Sequence, residues 1–456
     1  MISEEQAAEL IDIAVKHGVR KKADGIEAIV TASNVSTSRF ANNGMTQNQS
    51  PEQISISVRV QKDGKQARLS TDRISAAGIR ELVGNAITSA SFLEKDEDML
   101  PLPKPEKKTQ QKSVNRYDTR TANFTAEQRA KAIKTIVNVA EKRGLIAAGI
   151  FATGSEVEAI GNSEGLFRYH RETHAEVSIT MKRIDPDTRT DSTGWAKQNS
   201  PRVSDLDVPA LAARSAEKAL ASANPQDIQP GKYTVILEPS AVLDLLCFMD
   251  FDFTGTSFVD KLSCFLHKQG KKMLGKNITI SDDVYHPLQA GAPFDGEGLQ
   301  RQMVELVSNG KIDNLVYGRR SAARLKAKPT GHGLAEPSAE GEWPHNVVVS
   351  GGKDSVEQMI KSTKRGILLS RVWYVREVDP TTKIVTGMTR DGTFLVEDGA
   401  IKTGIKNLRF NQSLIEMLNH VVALSPAERT AGEEGEPAVV PAMKVENFNF
   451  SSTTAF

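Results

Sequence analysis

The chain has 456 residues, a formal net charge of +1, 39% hydrophobic and 25% charged residues, and two cysteines, Cys247 and Cys264. Its lysines and arginines are spread rather than clustered, no apolar run approaches the roughly 20 residues of a membrane helix, and two thiols cannot build a disulfide framework or a Cys-rich zinc site. Those features argue against nucleic-acid binding and membrane spanning; the length suits two or three domains, and the acidic start without a signal-peptide pattern predicts a cytoplasmic protein.

Ser3 and Gln6 make a capping box ahead of apolar residues at Ala7, Leu10, Ile11, Ala14 and Val15, so an amphipathic helix is predicted, closed by Gly18. Ile26, Ala28 and Val30 alternate as in a strand, and so do Ile54, Ile56, Val58 and Val60, with Asp63-Gly64 as the turn of a hairpin. A helix follows between Asp72 and Ala90, its apolar face at Ile79, Leu82, Val83, Ala86 and Ile87. From Leu93 to Thr119 Lys, Glu, Asp, Gln and Pro dominate, which predicts an exposed connector. Thr125 and Gln128 open the next helix; short strands are predicted from Ile150 to Trp195, with Gly161-Asn162 as a turn, and Asp207 caps a helix that reaches about Asn224.

The Pro- and Gln-rich stretch from Pro225 to Gly231 reads as the main domain boundary. Beyond it Tyr233 to Leu237 is apolar throughout, as in a strand buried on both faces, and Glu238-Pro239-Ser240 opens a helix through Leu243, Leu246, Cys247 and Phe251. Strands are predicted at Asn346–Val349, Ile367–Val375, Ile384–Thr389 and Thr393–Val396, with turns at Asp391-Gly392 and Asp398-Gly399, and a short helix runs from Ser413 to Val422. The fold class is α+β: an N-terminal α/β domain over residues 1–224, with its connector at about 93–119, then a mostly antiparallel β domain over 231–456.

Four groups of residues invite a chemical reading. His170-Arg171-Glu172-Thr173-His174 would bring two imidazoles to one face of a helix, as a zinc site requires. Its surroundings read as strands, where residues four apart stand about 13 Å apart, so exposed histidines on a sheet are expected. Ser350-Gly351-Gly352-Lys353-Asp354-Ser355, between a strand and a helix, resembles the pyrophosphate loop of ATP pyrophosphatases and gives a nucleotide-binding alternative; the plain alternative is a tight turn. Cys264 and His267 lie three apart, and a small buried thiol beside a surface histidine is the simpler account. The fourth group is a long Gly- and Pro-rich block from Ser281 to Gly333. It carries Asp282-Asp283, Asp295 and Glu297, with His286 and His332 near its ends. Paired carboxylates on loops serve acid–base work or a hard cation, or hold irregular backbone by accepting its N–H groups; the structural role is expected here.

From Gly231 onward the chain resembles the TldD/PmbA family. The resemblance is carried by Leu237-Glu238-Pro239, Asp282-Asp283, Pro293-Phe294-Asp295-Gly296-Glu297-Gly298, Ser321-Ala322-Ala323-Arg324-Leu325, Thr330-Gly331-His332-Gly333, Gly366-Ile367-Leu368, Thr386-Gly387, Arg390-Asp391-Gly392-Thr393-Phe394 and Asn407-Leu408-Arg409-Phe410. The N-terminal half resembles it more weakly. The resemblance implies a cytoplasmic peptidase system in which TldD-type subunits hold zinc through a His-Glu-x-x-x-His helix and a late Cys, while TldE/PmbA-type partners lack these ligands and help enclose unfolded peptides. In this chain no His-Glu dipeptide occurs, no Cys follows Cys264, and the family motif laid on the helix puts Cys247 and Asp252 at the two His positions and Phe248 at the Glu.

The resemblance therefore implies a TldE/PmbA-like subunit with no catalytic residues and no cofactor of its own, zinc being held by a TldD-type partner. Peptide substrate, that partner and a homodimer are the expected associations, with no nucleic acid and no membrane. Phe294, Asp295, Glu297, Gly298 and His332 are the expected groove or interface residues. The alternatives are an independent metallopeptidase with an atypical site at Cys247 and Asp252, a nucleotide-binding enzyme using the Ser350–Ser355 loop, and a regulatory protein acting on a DNA topoisomerase, as the family's gyrase-modulator label implies.

Overall fold

A computed structural model of the chain describes residues 1–105, 112–184 and 191–454. The N-terminal half is built on one eight-stranded sheet: Gly25–Ser33, Ser36–Ala41, Gly44–Gln49, Gln53–Lys62, Lys65–Thr71, Ile146–Asn162, Phe167–Ile184 and Asp191–Ser200. Strand Ile146–Asn162 organises it. On one edge it pairs with Phe167–Ile184 along nearly its whole length, and on the other with Glu27–Ser33 and then Ser36–Phe40 in the same register. The chain crosses from one to the other over Gly154, where a Cβ would stand 2.5 Å from Val35 Cα.

Alternation decides the two faces of this sheet. Ala28, Val30, Ala32, Val157, Ala159, Ala175, Val177 and Ile179 are buried on one face, against helices Glu4–Arg20, Ala76–Phe92, Ala126–Lys142 and Val208–Ala221. Each large apolar side chain buried there contributes about 1.5–3 kcal/mol. The intervening residues, among them Glu27, Thr31, Ser33, Glu156, Glu158, His170, Glu172 and His174, put polar groups on the opposite face, which meets the C-terminal half.

In the C-terminal half five strands close a ring: Arg365–Asp379 pairs with Gly231–Leu237, then Met443–Thr453, Leu408–Ser413, Ile384–Glu397 and back to Arg365–Asp379. Beside the ring lies a six-stranded sheet containing Ile280–Asp282, Val304–Ser308, Val347–Val349 and Ala438–Val440. Helix Pro239–Leu246, buried from Ser240 to Leu246, belongs to a core shared by ring and sheet. Among the described strands of the ring and this sheet, pairing is antiparallel except between Thr234–Leu237 and Gly366–Leu369 and at Val348 with Val439. No helix among the described residues is long and apolar enough to cross a membrane.

Several local expectations are corrected. Gly18 lies inside its helix, which runs to Arg20, because a Cβ there would stand 2.2 Å from the Ile26 side chain. The strands after Ile150 are long, 17 and 18 residues for the first two, and Gly161-Asn162 ends a strand rather than forming a turn. Asp391-Gly392 is a kink within the continuous strand Ile384–Glu397, with φ of 52° and 134°. Before the kink that strand pairs with Leu408–Ser413, and after it with Ala400–Gly404. Described residues of the connector expected at about 93–119, many of them exposed as expected, are also tied to the rest of the chain. Leu100 and Pro103 carbonyls accept from Gln61 and Asn162, and Asp96 and Asp98 pair with Arg320 and Arg324; residues 106–111 lie outside the described residues.

Candidate functional site

Between the polar face of the N-terminal sheet and the loops of the C-terminal half lies a cleft of about 1290 Å³. Strand register builds its floor. Thr31, Glu158 and His170 stand side by side in one row, and Ser33, Glu156 and Glu172 in the next. The facing wall includes Gly291, Phe294, Leu334, His345, Arg301 and Arg429. Glu172 Oε2 accepts the Gly291 N–H at 2.6 Å and so ties floor to wall, and His170 Nε2 is 3.7 Å from the same carboxylate. Burial pushes the Glu158 carboxyl up, and it makes no hydrogen bond or ion pair within the described residues. Across the cleft the His345 imidazole, 2.9 Å from Glu436, holds that carboxyl low. Acceptors on the floor and guanidinium donors at the wall suit a ligand that carries both donors and acceptors, as an extended peptide does.

Of the five expected groove or interface residues, only Phe294 faces the cleft. It packs with Ile29, Ile160 and Leu166, joining the two halves. The other four lie inside the wall. Asp295 accepts the N–H groups of Glu297, Leu299 and Gly333 at 3.0, 2.9 and 2.8 Å. Glu297 pairs with Arg319 at 3.0 Å, and burial beside Asp295 pushes its carboxyl up to about 7. Gly298 has φ +81°, and a Cβ there would stand 2.6 Å from the Leu166 side chain. His332 is fully buried, with Nε2 2.9 Å from Asp282 and Nδ1 2.8 Å from the Thr330 hydroxyl. Asp282 also accepts the Asn346 N–H at 2.7 Å; burial alone would raise its carboxyl, but His332 outweighs that and holds it low.

His170 and His174 lie on strand Phe167–Ile184, as their flanks predict, and both line the cleft. His170 is buried rather than exposed, at 7%, because the C-terminal half covers this face of the sheet. The polar floor escaped sequence reasoning; its signal was the alternation of polar residues along Glu156–Ile160 and Arg168–His174.

Cys247 and Asp252 occupy the short 3-10 segment Cys247–Phe253 that follows helix Pro239–Leu246. Asp252 Oδ2 is 2.7 Å from Lys383 Nζ, and its Oδ1 accepts the Cys264 N–H at 2.7 Å. Burial pushes the Cys247 thiol up, away from the thiolate a metal needs. These two positions do not fit a zinc ion: an ammonium stands where the ion would bind Asp252, and no histidine joins them. Among the described residues no group of three His, Cys, Asp or Glu side chains is placed to hold a metal ion.

At Ser350–Ser355 the Gly352 and Asp354 N–H groups donate to the Ser425 and Leu424 carbonyls at 2.7 and 3.1 Å, and Ser355 caps helix Val356–Lys361. Those donors are committed to the chain itself. Cys264 is buried, and His267 adopts a positive φ of 61°.

Three family profiles match the chain: PmbA/TldA metallopeptidase domain 1 over residues 26–90, the central domain over 117–223 and the C-terminal domain over 230–452. The first two fall on a single sheet. The chain is 25% identical to the metalloprotease PmbA of Escherichia coli over 304 residues, 65% of this chain, and spans 64% of that relative's length. The crystal structure of TldE from Thermococcus kodakarensis is similar with a TM-score of 0.87 at 20% identity, covering 97% of this chain and 100% of that one. A candidate modulator of a DNA gyrase from Thermotoga maritima is similar with a TM-score of 0.86 at 18% identity, covering 97% and 100%. At these identities the likeness to the two structures is one of fold.

Proposed function

The chain belongs to the PmbA/TldD metallopeptidase family, and from that premise we propose that it is a TldE/PmbA-like subunit without a metal of its own, working with a TldD-type partner in cytoplasmic proteolysis of unfolded peptides. The observation that carries this reading is the Lys383 ammonium, 2.7 Å from Asp252, the residue that the family motif, laid on the chain without gaps, puts at a metal-ligand position. A cation already satisfies that carboxylate, and Phe248 beside it has no proton to give or take. In such a pair the partner's zinc supplies the activated water, and this chain contributes the cleft. Its floor and Phe294 would hold an extended substrate, while Asp295, Glu297, Gly298 and His332 fix the wall behind.

The test is to purify the chain alone, a TldD-type subunit alone, and the two mixed, and to measure bound zinc and hydrolysis of an unstructured peptide. The expected result is no stoichiometric zinc and no hydrolysis for the chain alone, with activity in the mixture above that of the TldD-type subunit by itself. One zinc per chain, lost on Cys247→Ala, together with hydrolysis by the chain alone, would overturn the proposal in favour of an independent peptidase.

A further inference from the structure

A second pocket, of about 410 Å³, opens beside the cleft, and Ser200, Pro201 and Arg429 line both. Five cations converge on it: Arg116, Lys197, Arg202, Arg214 and Arg429. Three acids also line it, Asp205, Asp207 and Glu428, and two of these already have work: Asp207 caps helix Val208–Ala221, and Asp205 accepts the Ser200 hydroxyl at 2.6 Å. Arg116 and Arg429 donate to main-chain carbonyls of the 284–288 loop, yet each keeps a buried Nε without a partner. Arg202 and Arg214 are exposed, and neither side chain makes a hydrogen bond or ion pair within the described residues. Lys197 pairs with Glu176 at 3.4 Å, and Glu172 acts on both Arg116 and Arg429, which leaves the Arg202 and Arg214 guanidiniums as the cations of this pocket with no ion-pair partner within the described residues. Burial pushes the Arg429 guanidinium down to about 10, against the pull of Glu172.

Asn199 makes the site specific. It is 3% exposed, lines this pocket, and neither its Oδ1 nor its Nδ2 has a hydrogen-bond partner. A buried amide left unpaired is costly, so a ligand that satisfies both atoms gains by doing so. A peptide end offers the matching pair: a carboxylate oxygen to accept from Nδ2 and the last peptide N–H to donate to Oδ1. Guanidinium groups then complete the recognition, since they pair with carboxylates through parallel hydrogen bonds.

We propose that this pocket binds the C-terminal carboxylate of a peptide lying in the cleft, so that the chain selects free peptide ends and sets the direction of the substrate. The inference rests on the peptide-groove reading above. It is tested on the full chain by calorimetric titration with an unstructured octapeptide as free acid and as C-terminal amide, and with N-acetylalanine and inorganic phosphate as small probes. The free acid should bind about tenfold or more tighter than the amide, the scale of a hydrogen bond to a charged group. The double variant Arg202→Ala/Arg214→Ala should abolish that difference and leave amide binding as it was. Equal binding of acid and amide, or a preference that survives the double variant, would overturn the pocket while leaving the groove. N-acetylalanine binding that depends on the two arginines, with neither peptide bound, would sink the groove reading and keep the pocket. Phosphate binding that N-acetylalanine cannot displace, or no binding by any probe, would overturn the carboxylate assignment.

Discussion

Lys383 is buried at 4%, and its ammonium lies 2.7 Å from Asp252 and 2.6 Å from Glu377. Removing one member of a buried pair leaves the other charge without compensation, which costs about 3–5 kcal/mol, whereas replacing both by apolar groups is often neutral. Lys383→Met should therefore lower stability to urea by that amount, and Asp252→Leu/Lys383→Met should recover most of it. Equal losses in the single and double variants would show that the pair matters for packing rather than charge. Glu297 makes a prediction about pH. Burial, then the neighbouring Asp295, lifts its carboxyl from 4.5 to about 7, against the pull of Arg319. The folded chain then keeps a proton that the unfolded chain has released, so this group's stabilisation is fully present below pH 4.5 and is lost as pH rises through 7. Glu297→Gln should flatten that part of the curve of stability against pH; parallel curves for variant and parent would refute the assignment.

Elements with a strong local signal were legible in the sequence. The Ser3–Gln6 and Thr125–Gln128 capping boxes start helices as their spacing predicts, and the alternation from Ile54 to Val60 falls in strand Gln53–Lys62. What misled was chemistry that serves two purposes. Asp391-Gly392 supplies positive φ equally to a turn and to a kink inside a strand, and only the pairing partners on either side distinguish them. Gly161-Asn162 reads as a turn between short strands, yet it ends the 17-residue strand Ile146–Asn162, and Gly149 and Gly154 lie within that strand where neighbouring backbone comes within 2.0 and 2.5 Å of where a Cβ would be. The connector after Leu93 has the composition of an exposed linker, but its charges find partners far along the chain, such as Asp96 with Arg320. The site divides in the same way. The loop at Phe294 stood out because it is irregular. The floor did not, because Glu158 and His170 become neighbours only through the register of two strands. Asn199 gave no sign at all: an unpaired amide is visible only once the surrounding chain is in place.

Across the whole molecule the cleft is held open by the contacts that flank it. Glu27 is buried between Arg59 and Arg68, at 2.8 and 2.5 Å, and Arg68 continues into the C-terminal half by donating to the Glu336 carbonyl at 2.6 Å. Arg320 bridges Asp96 of the connector and Glu336, while Arg319 joins Glu297 to the Pro101 carbonyl. Beside this network Phe294 inserts between Ile29, Ile160 and Leu166, and it is the one large apolar side chain from the C-terminal half in that cluster. Buried ion pairs of this kind fix geometry, but the cost of taking their charges out of water offsets much of their attraction, so the apolar contact should carry most of the coupling between the halves. Phe294→Ala removes it and should cost about 3–5 kcal/mol. If the halves are coupled as the contacts imply, the parent chain melts in one calorimetric transition and the variant in one at lower temperature, or in two once the coupling fails. Two transitions in the parent, with only one shifted in the variant, would mean that the halves fold independently. The cleft would then be a hinge rather than a preformed groove, and an extended peptide would have to order both walls as it bound.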